Sequence, residues 1–297
     1  MKKPLFLAAL PALSFLLSAP AHAWFPQGHS IIASAAVQSL PEEVPAWFRA
    51  GKAAIAHSAQ DPDVQKNRAL PFMSEAEAPK HYMDFELLQG RPLPASHQEF
   101  LLLCTELKID PSDIGEVPYA IAEETERLTL IFAEARQYPD NPYIRAKALV
   151  EAGILSHYSG DICMPLHVTN DHDGRANPDG TSPLTGIHAK VDSLIERLAL
   201  QPEVLAQNEK IEAFPALFPA IQAQLSDSRS HIDQTYALES ALPDTKRIDP
   251  NWKASPALIA FTDERARAAT RFTASLFLTA WRDSARIKLP TWLKREN

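Results

Sequence analysis

The sequence predicts a mainly α-helical protein that folds as a single all-helical domain. Apolar residues recur at helical spacing in several long runs, such as 119–137 and 256–284. The 25 prolines of the chain separate these runs, because proline lacks the amide hydrogen that a helix interior needs. No stretch alternates apolar and polar residues as a half-buried strand does. With 297 residues, 45% of them hydrophobic, the chain is long enough to bury a large core.

Proline positions and apolar periodicity divide the chain into successive helices. Loops are expected near 92–94, at 242–250 and over the long polar segment 168–186. A loop as long as the last is uncommon unless it is functional or mobile. Within it, His172 and Asp173 are candidate substrate contacts, although their context fits plain loop chemistry better. We expect helices over residues 31–40, 53–59, 96–108, 119–137, 143–161, 187–200, 211–225 and 256–284.

The first residues have the composition of a secretory signal peptide rather than of a folded element. Two lysines follow the first methionine, an apolar run extends from Leu5 to Leu17, and a small-x-small cleavage motif ends at Ala23. The apolar run is too short to span a bilayer comfortably. We therefore expect residues 1–23 to be removed, and residues 24–297 to form the functional domain of a secreted or periplasmic monomer without a transmembrane segment.

Charge and cysteine content narrow the class of protein further. The formal net charge of −8 and the sequence pI of 5.7 leave no basic footprint of a dedicated DNA-binding protein. An enzyme that holds phosphate through metal ions needs no such footprint, since the ions supply the positive charge. Cys104 and Cys163 could pair in an oxidising compartment or remain two buried thiols, and their spacing does not decide between these states.

The residues best suited to chemistry concentrate between His157 and His167. His157 and Asp161 are four residues apart, so they share one face of the predicted helix. A proline then ends that helix, and His167 lies just beyond it, able to turn back toward the same point. His188 and Asp192 repeat the four-residue spacing. Two such pairs and one further histidine resemble a site for more than one zinc ion.

Candidate ligands also lie at the expected mature N-terminus. After cleavage, Trp24 would carry an α-amino group, whose pKa of roughly 7.7–8.0 lets a metal ion displace its proton. Its carbonyl oxygen could close a chelate ring, and His29 would add an imidazole. Taken alone, the Gly28-His29 pair is more typical of a capping turn.

Two further segments carry candidate residues. Asp61 and Asp63 flank a proline, a pattern that is typical of a solvated turn or a helix start. The functional interpretation is one metal carboxylate, with Lys66 close enough along the chain to reach a phosphate. His81 is a candidate metal ligand beside these clusters, and Asp84 is a candidate orienting or substrate-contacting group.

Together these residues resemble the superfamily that holds bacterial zinc-dependent phospholipases C and secreted, single-strand-specific three-zinc nucleases. The likeness rests on the mature N-terminal Trp with Gly-His, on His-x-x-x-Gly-Asp followed by Pro-Leu-His, and on Gly-Ile-His-x-x-x-Asp. It extends from Trp24 to about residue 195, and more loosely through the last helix. The resemblance implies an all-helical domain with a trinuclear zinc site between its helices.

The resemblance also implies a role for each motif residue. Asp63, with Asp61 as the alternative, would orient a water that zinc activates for attack on phosphorus, and Lys66 would contact the phosphate. The implied ligands are Asp63, His81, His157 and Asp161 for one zinc ion, His167, His188 and Asp192 for a second, and the amino group and carbonyl oxygen of Trp24, His29 and the shared Asp161 for a third.

The motifs indicate a phosphodiester substrate without deciding its class. Tyr82 could stack a nucleobase beside Asp84, and Asp192 and the Trp-x-x-x-Gly-His start match the nucleases. The segment around His188 is closer to the phospholipases, and the chain lacks the Gly-Gly-Asn loop usual in the nucleases. The main expectation is an endonuclease or 3′-nucleotidase acting on single-stranded nucleic acid or nucleotides. The alternatives are a phospholipase C that cleaves phospholipid head groups, and a secreted zinc-binding protein without catalysis.

Overall fold

In the computed structural model, the described residues (24–245, 249 and 251–295) form helices and the loops between them. Within these ranges the β-structure amounts to one isolated bridge between His172 and Gly174. The expected mainly α-helical class is therefore confirmed. The predicted signal peptide, residues 1–23, lies outside the described residues. None of the described helices is both long and apolar enough to cross a membrane.

The described part of the chain contains fifteen α-helices, joined in places by short 3₁₀ segments. The helices are α1 (Pro26–Gln38), α2 (Ala46–Ala50), α3 (Lys52–Ser58), α4 (Asp61–Gln65), α5 (Pro71–Glu77), α6 (His97–Leu107), α7 (Pro111–Ile114), α8 (Val117–Gln137), α9 (Pro142–Asp161), α10 (Ile187–Asp192), α11 (Leu194–Arg197), α12 (Pro202–Leu205), α13 (Leu217–Ser230), α14 (Ile232–Ala237) and α15 (Pro256–Asp283). The 3₁₀ segments are Ala78–His81, Phe85–Leu88, Pro165–His167, Glu239–Ala241 and Ser284–Arg286.

The long predicted helices are confirmed, with ends that shift by a few residues. Helices α8, α9 and α15 correspond to the helices expected over 119–137, 143–161 and 256–284. The single helix expected over 187–200 is wrong, because it divides at Ser193 into α10 and α11. The helix expected at 211–225 is displaced and begins only at Leu217. Pro215 explains the late start, since the residue before a proline disfavours helical backbone.

Helix α9 carries the central motif, and its local sequence explains where it begins. The side-chain oxygen of Asn141 accepts hydrogen bonds from the amides of Tyr143 (3.0 Å) and Ile144 (3.2 Å). Pro142 occupies the first turn, where no amide hydrogen is needed. Residues 155–161 at the other end are all buried. The helix therefore carries its polar end into the core.

Close packing around α9 depends on glycine at two positions. At Gly153, a Cβ atom would lie 2.5 Å from Cβ of Ser58 in α3. At Gly160, a Cβ atom would lie 3.3 Å from Nδ1 of His29 in α1. The absence of a side chain thus lets α3 and α1 approach α9 closely, while α8 and α15 pack against the same helix. As a result, the end of α3 and the start of α1 both lie against α9.

The two cysteines are separate in this fold. Cys104 and Cys163 are both buried, and neither forms a disulfide. Burial raises the pKa of both thiols, so both are protonated at neutral pH. The sequence left open whether the two cysteines form a disulfide or remain two buried thiols, and in the structure they are buried thiols.

Candidate metal centre

Buried histidine and aspartate side chains converge in three adjoining groups. In each group the ligand-capable atoms lie within 4.8 Å of one another, and His157 belongs to two of the groups. All of these side chains are buried. Apart from Trp24, they are the residues that the sequence put forward as ligands. The first group is Asp63, His81 and His157; the second is His167, His188 and Asp192; and the third is His29, His157 and Asp161.

His157 presents a lone pair to the place where the groups meet. Its Nδ1–H donates to the carbonyl oxygen of Ala59, just after α3, at 2.8 Å, which leaves Nε2 unprotonated in the neutral ring. Burial lowers the pKa of His157 to about 3, so the ring is neutral at physiological pH. Nε2 lies 3.5 Å from Oδ2 of Asp161 and 3.8 Å from Oδ1 of Asp63. His157 therefore has the tautomer that a metal ligand requires.

His81 reaches the same point from the segment that follows α5. Its Nδ1 lies 3.0 Å from Nε2 of His157 and 3.0 Å from Oδ2 of Asp161. On the other side of the ring, Nε2 lies 3.3 Å from Oε1 of Glu77. Carboxylates thus face both ring nitrogens, and with the single ring hydrogen on Nε2 the lone pair at Nδ1 points to His157 and Asp161.

The Asp61–Asp63 segment is a helix start, and it delivers Asp63 rather than Asp61 to the group. Helix α4 begins here, and Oδ1 of Asp63 lies 4.0 Å from Nδ1 of His81. The same oxygen is 2.7 Å from Nζ of Lys66, and the two side chains are only 5% and 9% exposed. Lys66 thus forms an ion pair with the predicted ligand, and its contact with a phosphate stays a prediction.

The group around His157 has the donor atoms and the separations that a metal ion needs. Nδ1 of His81 and the unprotonated Nε2 of His157 face each other at 3.0 Å. When the His81 hydrogen is on Nε2, both facing atoms carry lone pairs, and a cation beside them stabilises that arrangement. Ligand atoms placed about 2.0–2.1 Å from a tetrahedral zinc ion lie roughly 3.3 Å apart. The separations among this pair, Asp63 and Asp161 run from 3.0 to 4.0 Å, so the group can hold a metal ion.

A second group is formed by His167, His188 and Asp192. Nδ1–H of His167 donates to the carbonyl oxygen of His81 at 2.7 Å, so Nε2 again carries the lone pair. That atom lies 2.8 Å from Nε2 of His188, which is 3.1 Å from Oδ2 of Asp192. Burial lowers the pKa of His167 well below its ordinary value. Burial acts in the same direction on His188, but the Asp192 carboxylate more than offsets it and raises the pKa.

The third group joins α1 to the end of α9. Nε2 of His29 lies 3.4 Å from Oδ1 of Asp161, and the His29 ring stacks on that of His157 with centroids 3.8 Å apart. One oxygen of Asp161 therefore faces His29, and the other faces His81 and His157. Burial, reinforced by the Asp63 carboxylate, raises the pKa of Asp161 well above its ordinary value, although Lys66 opposes the shift. The role of Asp161 as a bridge between two metal ions stays a prediction.

The start of the described chain lies against the second group. Trp24 is fully buried, and a Cβ atom at Gly28 would come within 3.0 Å of its Cβ. The amide of Phe25 donates to the carbonyl oxygen of Asp192 at 3.2 Å. The backbone around Trp24 is thus fixed beside α10. The use of its amino group and carbonyl oxygen as ligands stays a prediction.

Two of the predicted substrate contacts lie together beside the second group. Nδ1 of His172 is 4.0 Å from Oδ2 of Asp84, and the His172 ring is 6.2 Å from that of His188. Burial, reinforced by the Glu86 carboxylate, raises the pKa of Asp84 to about 7. Asp84 and His172 therefore form a polar edge next to one metal-capable group.

Tyr82, by contrast, makes packing contacts of its own. Its hydroxyl donates to the carbonyl oxygen of Ser112. A Cβ atom at Gly115 would lie 2.6 Å from the Tyr82 ring, so the two residues touch. The stacking of a nucleobase on this ring stays a prediction, and these contacts leave less of the ring available for it.

Sequence reasoning missed the groups that orient the histidines. Glu77 contacts His81, and it precedes that histidine by four residues, a spacing that marks a shared helix face. Tyr158, directly after His157, donates its hydroxyl to Glu77. The carbonyl oxygen of Ala59 leaves no side-chain signal at all. Such a partner becomes visible only when α3 is packed against α9.

These observations define an all-helical protein with buried histidine and aspartate groups that can hold metal ions. Its fold is similar to that of the alpha toxin from Clostridium absonum, with a TM-score of 0.50, 12% sequence identity, and a match over 89% of this chain and 67% of that chain. Alpha-toxin of Clostridium perfringens, isolated from an avian strain, gives a TM-score of 0.47 at 12% identity, over 90% of this chain and 66% of that chain. No family model and no curated protein matches the sequence. At 12% identity the likeness to the first of these toxins shows the fold alone. This chain spans about two thirds of the length of either toxin.

Proposed function

We propose that the protein is a zinc-dependent hydrolase of phosphodiesters, of the phospholipase C type. The observation that carries the proposal is the convergence of ring nitrogens of His81 and His157 with the carboxylates of Asp63 and Asp161, at separations of 3.0 to 4.0 Å. Three adjoining groups support a trinuclear zinc site. Trp24 would complete it with its amino group and carbonyl oxygen, once a signal peptide has been removed during export.

The chain's own residues have distinct roles in this proposal. Bound zinc supplies Lewis acidity, which lowers the pKa of a water toward roughly 7 and offsets the charge of a phosphodiester. In this proposal the Asp63 carboxylate, which lies 3.8 Å from Nε2 of His157, also orients the attacking water. The Lys66 ammonium, 2.7 Å from Asp63, adds positive charge for the phosphate oxygens. His81 and His157 serve as lone-pair donors and transfer no proton.

Asp84 and His172 supply the contacts to the rest of the substrate. They lie 4.0 Å apart beside His188, and both are only partly exposed. With its pKa raised to about 7 by burial, Asp84 can either donate or accept a hydrogen bond near neutral pH. This polar edge suits the hydroxyl or head-group side of a phosphodiester.

A phospholipid substrate is supported better than a nucleic acid. The likeness to the alpha-toxin fold favours the phospholipase C alternative over the nuclease. Tyr82 is packed against Gly115, which disfavours base stacking. Exposed apolar side chains also follow the Asp63 ligand closely, namely Val64 (67% exposed), Leu70 (54%) and Phe72 (93%). Apolar groups in such exposed positions suit a lipid surface more than a polyanion.

A nuclease or 3′-nucleotidase is the second candidate. Asp192 in the second group, and the spacing of Trp24 from Gly28 and His29, match the nuclease branch of the resemblance. The buried position of Asp192 next to His188 is compatible with either substrate.

The test uses zinc-loaded protein whose chain begins at Trp24. It is assayed in parallel on phosphatidylcholine vesicles, single-stranded DNA, RNA and 3′-mononucleotides. We expect phosphatidylcholine cleavage that chelation stops and added zinc restores, and a His157→Ala variant that lacks both zinc and turnover. Cleavage of the nucleic acids alone would establish the second candidate. Inertness of the fully loaded protein toward every substrate would leave a non-catalytic zinc-binding protein, and full activity in zinc-free His157→Ala would refute the metal mechanism.

A further inference from the structure

One buried carboxylate, that of Glu77, lies outside the predicted ligand set and yet contacts it. The residue is 3% exposed, and its Oε1 lies 3.3 Å from Nε2 of His81. The Tyr158 hydroxyl donates to the same oxygen, while Oε2 lies 3.2 Å from Nζ of Lys80. Partners on both oxygens hold the carboxylate in one orientation.

We infer that Glu77 and Tyr158 are positioning residues, which fix the ring orientation and the tautomer of His81 for metal binding. The inference rests on the metal-binding part of the proposed function. A neutral imidazole carries one ring hydrogen, and in this arrangement the hydrogen is on Nε2, 3.3 Å from Oε1 of Glu77. The lone pair is then at Nδ1, the atom that faces His157 and Asp161 at 3.0 Å each.

Two carboxylates, on opposite sides of the ring, compete for the single ring hydrogen of His81. If the hydrogen were on Nδ1, His81 would donate to Oδ2 of Asp161 at 3.0 Å and would offer the group no lone pair. Glu77 provides the competing acceptor on the opposite side of the ring. Its removal therefore favours the tautomer that cannot bind a metal ion.

Tyr158 holds the acceptor in place. It follows His157 in α9, so the helix that delivers two predicted ligands also fixes the carboxylate that orients a third. Its ring meets that of His81 edge-on, with centroids 5.5 Å apart, and limits rotation of the imidazole. Lys80 binds the other oxygen of Glu77, and its side chain is 32% exposed. We therefore assign Lys80 to charge balance rather than to orientation.

The experiment measures zinc affinity by chelator competition, together with the tautomer of His81 by nitrogen-15 NMR of histidine-labelled full-length mature protein. Glu77→Gln is expected to lower the affinity of the His81 group about 10–100-fold, because partners of metal-bound histidines typically have effects of this size. Tyr158→Phe keeps the carboxylate and is expected to cause a smaller loss. Lys80→Gln is the matched control, with zinc affinity and tautomer unchanged.

The outcomes separate this inference from the proposed function. A wild-type protein that binds no zinc overturns both. A wild-type protein that binds zinc, with equal affinity and the same His81 tautomer in Glu77→Gln and Tyr158→Phe, overturns the inference alone. If Glu77→Gln fails to fold, Tyr158→Phe decides by the same two measurements. A matching loss in Lys80→Gln would assign the effect to charge and also overturn the positioning role.

Discussion

Replacing Gly153 by alanine tests how closely α3 must pack against α9 for the site to form. A Cβ atom there would lie 2.5 Å from Cβ of Ser58, 2.7 Å from the carbonyl oxygen of Ile55 and 2.8 Å from the carbonyl carbon of Ser58. The last two are backbone atoms, so no side-chain rotation relieves the contact. Since carbon atoms prefer separations of about 3.5–4.0 Å, α3 must retreat by roughly 1 Å.

Two effects of opposite sign decide the outcome at Gly153. Alanine improves helix propensity by about 1 kcal/mol. Overpacking of a dense core typically costs about 1–3 kcal/mol, and the clash with backbone places this site in the upper part of that range. We expect a net loss of about 1–2 kcal/mol, which lowers Tm by roughly 2–8 °C in a chain of this size. The retreat also moves the Ala59 carbonyl that fixes the tautomer of His157, so zinc affinity should fall as well.

Thermal unfolding followed by circular dichroism, with and without zinc, measures the first effect, and chelator competition measures the second. Gly90→Ala is the control, because an added Cβ meets no atom within 4 Å there and the only cost is the strain of a φ of 78°. We expect this control to lose about 1 kcal/mol of folding stability and to keep its zinc affinity. A higher Tm in Gly153→Ala, as propensity alone predicts, would refute the close-packing argument.

Three further predictions concern the bridge, a buried acid pair and the exposed apolar segment. Asp161→Ala is expected to abolish turnover and to remove the two zinc ions that the proposed bridge would hold, which metal analysis by mass spectrometry measures; retained stoichiometry would contradict the bridging role. Burial and the adjacent Glu151 raise the pKa of Glu124 to about 9, although Arg127 opposes them. The folded chain therefore keeps a proton that the unfolded chain loses above about pH 4.3, and stability falls as the pH rises from there to about 9, by at most about 1.4 kcal/mol per pH unit. Glu124→Gln is expected to flatten this dependence in urea unfolding between pH 5 and 8, and an unchanged slope would count against the shift. Phe72→Ser is expected to weaken binding to phosphatidylcholine vesicles several-fold while hydrolysis of a water-soluble phosphodiester stays unchanged; equal losses in both assays would exclude a role in surface binding.

Local sequence signals predict the long helices because each such helix combines an apolar face with a recognisable start. Asn141 caps α9 and Ser255 caps α15, and a proline follows each cap. Ser193, where α10 and α11 divide, carries no comparable signal. The same holds for short helices such as α2 and α5, whose few residues contain too little periodicity to be recognised.

The candidate site was predictable to the extent that its residues are neighbours along the chain. The four-residue spacing of His157 and Asp161 is a property of one helix, so the sequence alone places them together. The resemblance contributed His29, Asp63 and the order of the motifs. The hydrogen-bond partners that determine the tautomer of each histidine come from distant parts of the chain, as the Ala59 carbonyl does. No rule of sequence spacing connects them to the histidines.

His81 connects the first and second metal-capable groups through both its side chain and its backbone. Its Nδ1 belongs to the group of His157, while its carbonyl oxygen accepts Nδ1–H of His167 at 2.7 Å. The amide of Met83 donates to the His167 carbonyl oxygen at 2.8 Å, which closes a two-way link between the segments. Any displacement of residues 81–83 therefore moves a ligand atom of one group and the tautomer-fixing partner of the other. A metal ion that orders His81 also orders His167. The second ion then binds ligands that are already ordered, and its binding loses less conformational entropy. The two groups are therefore expected to bind metal ions with positive cooperativity.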